Sequence, residues 1–161
     1  MCGSEAARAY FRMIDRAREA NGMSMEEIRA MQMTTEHCTL IGQQPDIIQK
    51  LKDYGIILSC GPDLISEAPK WIADYGPQIE PFILPIKTWI ESGLNVVGQN
   101  TGGPGPFHSE WLLMRRAFRG YIWAPEESID RVRALKLYTS WAGRYVTKSD
   151  QLGTLEDPPG H

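Results

Sequence analysis

The chain has 161 residues, the length of one ordinary domain, and 42% of them are hydrophobic, enough to bury a core. Lys and Arg number 17 against 20 Asp and Glu, a net charge of −3, which excludes the basic footprint of a nucleic-acid or anionic-membrane binder. No apolar run approaches the ~20 residues that span a bilayer, and no charged-then-apolar leader opens the sequence.

Residues 4–21 read as an amphipathic helix, with Ala6, Ala9, Tyr10, Met13, Ile14 and Ala17 at helical spacing and Gly22 beyond the end. Ser24 and Glu27 form a capping-box pattern over a short turn. A first strand is expected over 31–36. A helix over 45–54 follows, opened by Pro45 and stopped by Gly55, and a second strand runs over 56–59. Residues 60–78 are irregular, with a short helix at 65–75. A helix over 79–92, despite Pro85, leads to a third strand at 94–97. A Gly/Pro-rich loop fills 98–108, helices are expected over 109–119 and from Pro125 to about Val146, and 147–161 is polar and turn-rich.

Strands alternating with helices predict an α/β fold with parallel pairing. Three strands are few for such a fold, and these are short, apolar and without Lys or Pro at their edges, as if written for a larger sheet buried on both faces. Three cysteines, Cys2, Cys38 and Cys60, have no zinc-finger spacing, and their odd number points to reduced thiols and a cytoplasmic setting.

His37 follows the first strand and precedes a helix, which places an imidazole at the carboxyl end of a strand, the edge where parallel α/β folds do chemistry. It reads either as a neutral histidine hydrogen-bonded near a strand end or as a metal ligand. Asn100 sits at the equivalent edge after the third strand. The loop Gly98-Gln99-Asn100-Thr101-Gly102-Gly103-Pro104-Gly105-Pro106 is either a simple connection or a close approach to a ligand, with Gln99 or Asn100 as polar contact. It lacks the Lys-Ser/Thr of a phosphate-binding loop. His108, before the helix cap Ser109, is an exposed loop histidine or a substrate contact at the same mouth. Cys2 has the place of an amidotransferase nucleophile, but a helix follows it where that class needs a strand.

Several segments in order carry a family resemblance. Glu36-His37-Cys38-Thr39-Leu40-Ile41 and Gly55-Ile56-Ile57-Leu58-Ser59 with Pro62 resemble the sixth and seventh strands of metal-dependent amidohydrolases. The amidohydrolase-3 group, which includes N-substituted formamide deformylases, is the most similar branch. Gly93-Leu94-Asn95-Val96-Val97-Gly98-Gln99-Asn100 resembles its eighth strand. Ala134-Leu135, Tyr138-Thr139 and Ala142 are similar to its late helix, and Gly153-Thr154-Leu155-Glu156 to the turn toward its β-sandwich.

The resemblance implies a partial (β/α) TIM-type barrel over 1–146, its C-terminal portion, and a tail over 147–161. It implies a divalent metal, zinc first, and hydrolysis of small-molecule amides at non-peptide C–N bonds. His37 would be a metal ligand. Asn100 stands where the family has a metal-binding, proton-accepting aspartate, and an amide can coordinate but cannot act as a base near neutral pH. Met1-Cys2-Gly3-Ser4 matches the family's x-x-Gly-Asp after its fifth strand, so that ligand histidine would fall one position before Met1. The chain is therefore expected to be an incomplete or inactive fragment, prone to self-association through unpaired strand edges. A non-catalytic α/β module that binds a partner through those edges is the competing expectation.

Overall fold

The computed structural model describes residues 3–100 and 104–155. Helix α1 (Ser4–Asn21) buries Ala7, Phe11 and Ile14, one stripe at helical spacing. The Ser24/Glu27 capping box is formed, and it starts a helix, α2 (Met25–Ala30), with Met31 as its C-cap. Strand β1 is therefore only Thr34–Thr35. The strand expected over 31–36 is shortened because the capping box commits the residues before it to helix. Then come α3 (Pro45–Tyr54) and β2 (Ile57–Cys60). A 3-10 turn (Pro62–Glu67) runs into α4 (Ala68–Tyr75).

The helix expected over 79–92 is corrected. A 3-10 turn (Pro77–Phe82) occupies its first part, a non-helical link crosses Ile83 to Pro85, and only α5 (Ile86–Glu91) is α-helical. Pro81 and Pro85 each remove an amide donor, and Leu84 adopts φ 42°. Buried Arg116 holds this link, donating to the carbonyls of Leu84 at 3.0 Å and Ile83 at 2.8 Å. Burial draws its pKa down to about 10, opposed by Glu127 and Glu126. Glu127 in turn accepts from Thr88 and Gln43.

Strand β3 is Asn95–Gly98, followed after the loop by α6 (Pro106–Arg115). A small antiparallel hairpin, β4 (Ala117–Phe118) and β5 (Tyr121–Ile122), comes next and has no counterpart in the expected elements. The single helix expected from Pro125 to Val146 is three pieces: a 3-10 turn (Pro125–Glu127), α7 (Arg131–Tyr138) and a 3-10 turn (Ala142–Arg144). Asp130 restarts the chain as an N-cap, its carboxylate accepting from the Arg133 amide at 2.9 Å.

The three main strands form a parallel sheet in the order β1-β2-β3. Thr34 faces Ile57, and Ile57 faces Asn95. Three parallel strands with flanking helices are thus the observed α/β architecture. Side chains alternate across the sheet. Leu58, Cys60 and Val96 join the main core with Ile47, Leu51, Trp89 and Leu137 from the helices. The opposite face carries Thr34, Ile57, Ser59, Asn95 and Val97. Among the described residues no helix is long and apolar enough to cross a membrane.

Candidate functional site

Because all three strands run the same way, His37 and Asn100 both lie beyond the carboxyl edge of one sheet, each two residues past a strand end. His37 has φ 53°, in the left-handed region. That conformation costs a non-glycine residue roughly 1–3 kcal/mol and persists only where the surroundings impose it. Here its carbonyl accepts from the Thr39 amide at 2.6 Å and the Thr39 hydroxyl at 3.0 Å. The Thr39 carbonyl accepts from the Leu84 amide at 3.0 Å, and the Cys38 thiol lies 2.8 Å from the Thr35 hydroxyl. The turn is therefore tied both to its own strand and to the link that Arg116 holds. The imidazole itself is half-buried.

Gln99 is anchored on three sides. Its amide extends the ladder to the Cys60 carbonyl at 2.8 Å, its side-chain oxygen accepts from Ser59 Oγ at 2.5 Å, and its carbonyl accepts from the Tyr138 hydroxyl at 3.4 Å. Gly98 allows Tyr138 to sit there, since a Cβ at 98 would lie 2.7 Å from that ring. Asn100 follows directly and is exposed. Residues 101–103, the middle of the glycine-rich loop, lie outside the described residues, as does Cys2.

His108 belongs to a different surface. Its ring is nearly parallel to Trp111, with centroids 6.1 Å apart, and edge-on to Phe118 at 6.4 Å. It borders a groove of about 380 Å³ with Asp63, Leu64, Ser66, Glu67, Pro104 and Phe118, bounded by the segment after β2. The structure thus brings Gln99 and Asn100 to the same edge as His37 and sets His108 in a neighbouring groove.

Two contributors were not expected from the sequence, Ser59 and Tyr138. Ser59 carried a signal: it is the polar residue in the apolar run Ile56-Ile57-Leu58-Ser59-Cys60. Tyr138 carried none, because its role depends on the absence of a side chain at Gly98. Burial pushes the Tyr138 hydroxyl and the Cys60 thiol well above their ordinary ranges, so neither ionises near neutrality. The Cys60 thiol donates to the Val97 carbonyl at 3.1 Å and is a packed group, not a nucleophile.

Among the described residues no three His, Cys, Asp or Glu come together in a way that could hold a metal ion. A catalytic zinc needs three protein donors and a water. The described residues alone do not meet that requirement.

The profile described as the Amidohydrolase family matches residues 2–157. The chain belongs to the amidohydrolase family. Two solved structures share the fold of this amidohydrolase chain. One, an uncharacterized metal-dependent hydrolase from Pyrococcus furiosus, is 22% identical with a TM-score of 0.69, covering 96% of this chain and 30% of its own. The other, an uncharacterized metal-dependent hydrolase from Pyrococcus horikoshii OT3, is 20% identical with a TM-score of 0.72, covering 98% of this chain and 30% of its own. The amidohydrolase chain therefore spans about 30% of the length of the structures it matches. No curated protein matches it.

Proposed function

We propose that this amidohydrolase chain supplies the C-terminal part of a (β/α) barrel over 1–146, with 147–161 leading onward from it. The activity of the complete assembly would be metal-assisted hydrolysis of a non-peptide C–N bond in a small-molecule amide, in the N-substituted formamide deformylase-like branch. The observation that carries this reading is the shared carboxyl edge: His37 and Asn100 stand past the ends of parallel strands in a chain of this family.

In such an assembly His37 would give one imidazole to a divalent metal, with zinc favoured by histidine donors. Asn100 would offer an amide oxygen but no base. Gln99, fixed by Ser59 and Tyr138, and His108 in its groove would contact substrate. Reduced cysteines fit a cytoplasmic setting.

The chain alone is expected to be inactive, because one imidazole does not make a metal site. Metal analysis of the purified chain together with an N-acyl amide hydrolysis assay tests this. Sub-stoichiometric zinc and no turnover are expected. Stoichiometric tight zinc, with turnover abolished in His37→Ala, would overturn the inactive-fragment reading. The second reading, a non-catalytic module that pairs a partner through the sheet, rests on the outer edges of β1 and β3, which no other strand among the described residues pairs.

A further inference from the structure

On the sheet face opposite the main core, Ile57 and Asn95 border the loop that follows α7. Ile57, Ser59 and Val97 on that face are 5%, 2% and 2% exposed. The C-terminal end of α7 leads into residues 139–153, which fold back on themselves. Gly153, at φ +96°, returns so close to the start that a Cβ there would lie 2.4 Å from the Thr139 carbonyl oxygen. Gly143 is packed just as tightly inside, with a Cβ position 2.9 Å from the Leu152 carbonyl oxygen. The Lys148 amide closes the interior on the Gly143 carbonyl at 2.9 Å. A closed loop of this size, ends together and packed on its own backbone, is an Ω-type loop.

Two side chains fasten it across the sheet. Arg144 donates to the Asn95 side-chain oxygen at 3.1 Å, over β3. The Tyr145 hydroxyl donates to the Glu36 carboxylate, beyond β1 and next to His37. Thr147 and Ser149 border Ile57, Gln32 and Arg29 in a groove of about 280 Å³. The loop thus crosses all three strands.

Its attachment is mostly polar and near the surface. Residues 144 and 146–152 are exposed, and Val146 and Leu152 remain 50% and 48% exposed. Loops with few buried apolar contacts open at a small fraction of the global unfolding free energy. The helix-side core, by contrast, holds Leu58, Val96, Trp89 and Leu137 at 2% exposure or less. The two faces of one sheet therefore differ sharply in what secures them.

We propose that residues 139–153 form a lid over the polar face of the sheet. The lid opens while the helix-side core stays folded. Opening frees Asn95 from Arg144 and Glu36, beside His37, from Tyr145, and it uncovers Ile57. This motion belongs to the chain itself and does not depend on hydrolysis.

Thiol labelling of the full chain tests it. Ile57→Cys places a reporter thiol beside Arg144, Thr147 and Ser149 of the lid, and native Cys60, fully buried on the other face, reports global unfolding. Under native conditions the introduced thiol should label at least ~10-fold faster than Cys60, with little dependence on urea, as sub-global opening requires. Arg144→Ala combined with Tyr145→Phe should raise the reporter's labelling rate several-fold and leave Cys60 unchanged. Val97→Cys, buried on the same face, provides a second reporter should Ile57→Cys fold poorly. Equal rates and equal urea dependence for both thiols would overturn the proposal. So would a fast reporter that ignores the two fastening substitutions.

Discussion

At the residue scale, the candidate edge is shaped by what is small as much as by what is polar. Gly98 precedes Gln99 and Asn100, and the Tyr138 ring fills the space its missing side chain leaves. Adding a methyl there forces the ring or the strand to move, and overpacking of this kind costs typically ~1–3 kcal/mol. We predict that Gly98→Ala destabilises the chain by that amount, read from the urea midpoint. In a Tyr138→Ala background the same substitution should cost far less, because the clashing partner is gone. A thermodynamic cycle over the two positions measures the coupling, and additive costs would show that the contact does not constrain the strand. Both residues could be read as ordinary core positions in the sequence. The place of His37 just past a strand end was legible there from the strand-then-helix order. Its left-handed backbone was not, because the turn is imposed by Thr39 and by the distant Leu84 amide.

Elements announced by punctuation stand where the sequence put them. Pro45 opens α3 and Gly55 closes it, and the strands of β2 and β3 fall within one residue of their expected places. The misses have physical causes. The hairpin of β4 and β5 turns on Arg119 and Gly120, both at positive φ, and Arg-Gly is a weaker sequence sign of such a turn than Asn-Gly. The long helix expected after Pro125 gave way because Asp130 caps a new start and Thr139, at φ −123° and ψ −105°, leaves helical geometry. Between elements, charge joins α1 to α3. Asp15 accepts from the Tyr54 hydroxyl at 2.5 Å and from Lys50 at 3.2 Å. These bonds, the tyrosine's first, hold the Asp15 carboxyl below its ordinary value of 3.8. A depressed carboxylate stabilises the fold above that value and loses its contribution as pH falls through the folded pKa. Glu110, raised by burial, acts in the opposite sense, gaining as pH falls. The urea midpoint should therefore hold from pH 7 to about 5 and drop below about 4 as depressed carboxylates protonate. Asp15→Asn should blunt the drop by about 0.2–1 kcal/mol, the worth of a solvent-screened pair. An unchanged acid limb in that variant would place the pH dependence elsewhere.

For the whole molecule, the question is what the sheet does with its two outer edges. Apolar faces at Val96, Val97, Met31 and Met33 would drive self-association if they were exposed. Val96 and Val97 are 2% exposed each, on opposite faces of the sheet, while Met31 is 58% exposed. The apolar argument therefore shrinks to Met31 and to surface groups away from the sheet such as Phe107 and Ile122, 77% and 69% exposed. The backbone argument remains. Among the described residues β1 pairs with β2 on one side, and β3 likewise, so each has a row of amides and carbonyls with no described strand on the other. Short edges limit such pairing, and β1 offers just Thr34 and Thr35. Buried polar groups without partners cost roughly 1–3 kcal/mol each, so the edges must meet water or another strand. We predict weak, concentration-dependent self-association of the isolated chain in sedimentation velocity. Amides of Thr34 and Thr35 should exchange faster than those of Ile57 and Leu58, which lie between two neighbours. Dilution should raise exchange further at the edges and leave β2 unchanged, because only the edges gain partners on association. A monomer at all concentrations, with β1 amides as protected as those of β2, would mean that the chain seals its own edges. It would then be a self-sufficient domain, and the reading of this chain as one part of a larger barrel would fall.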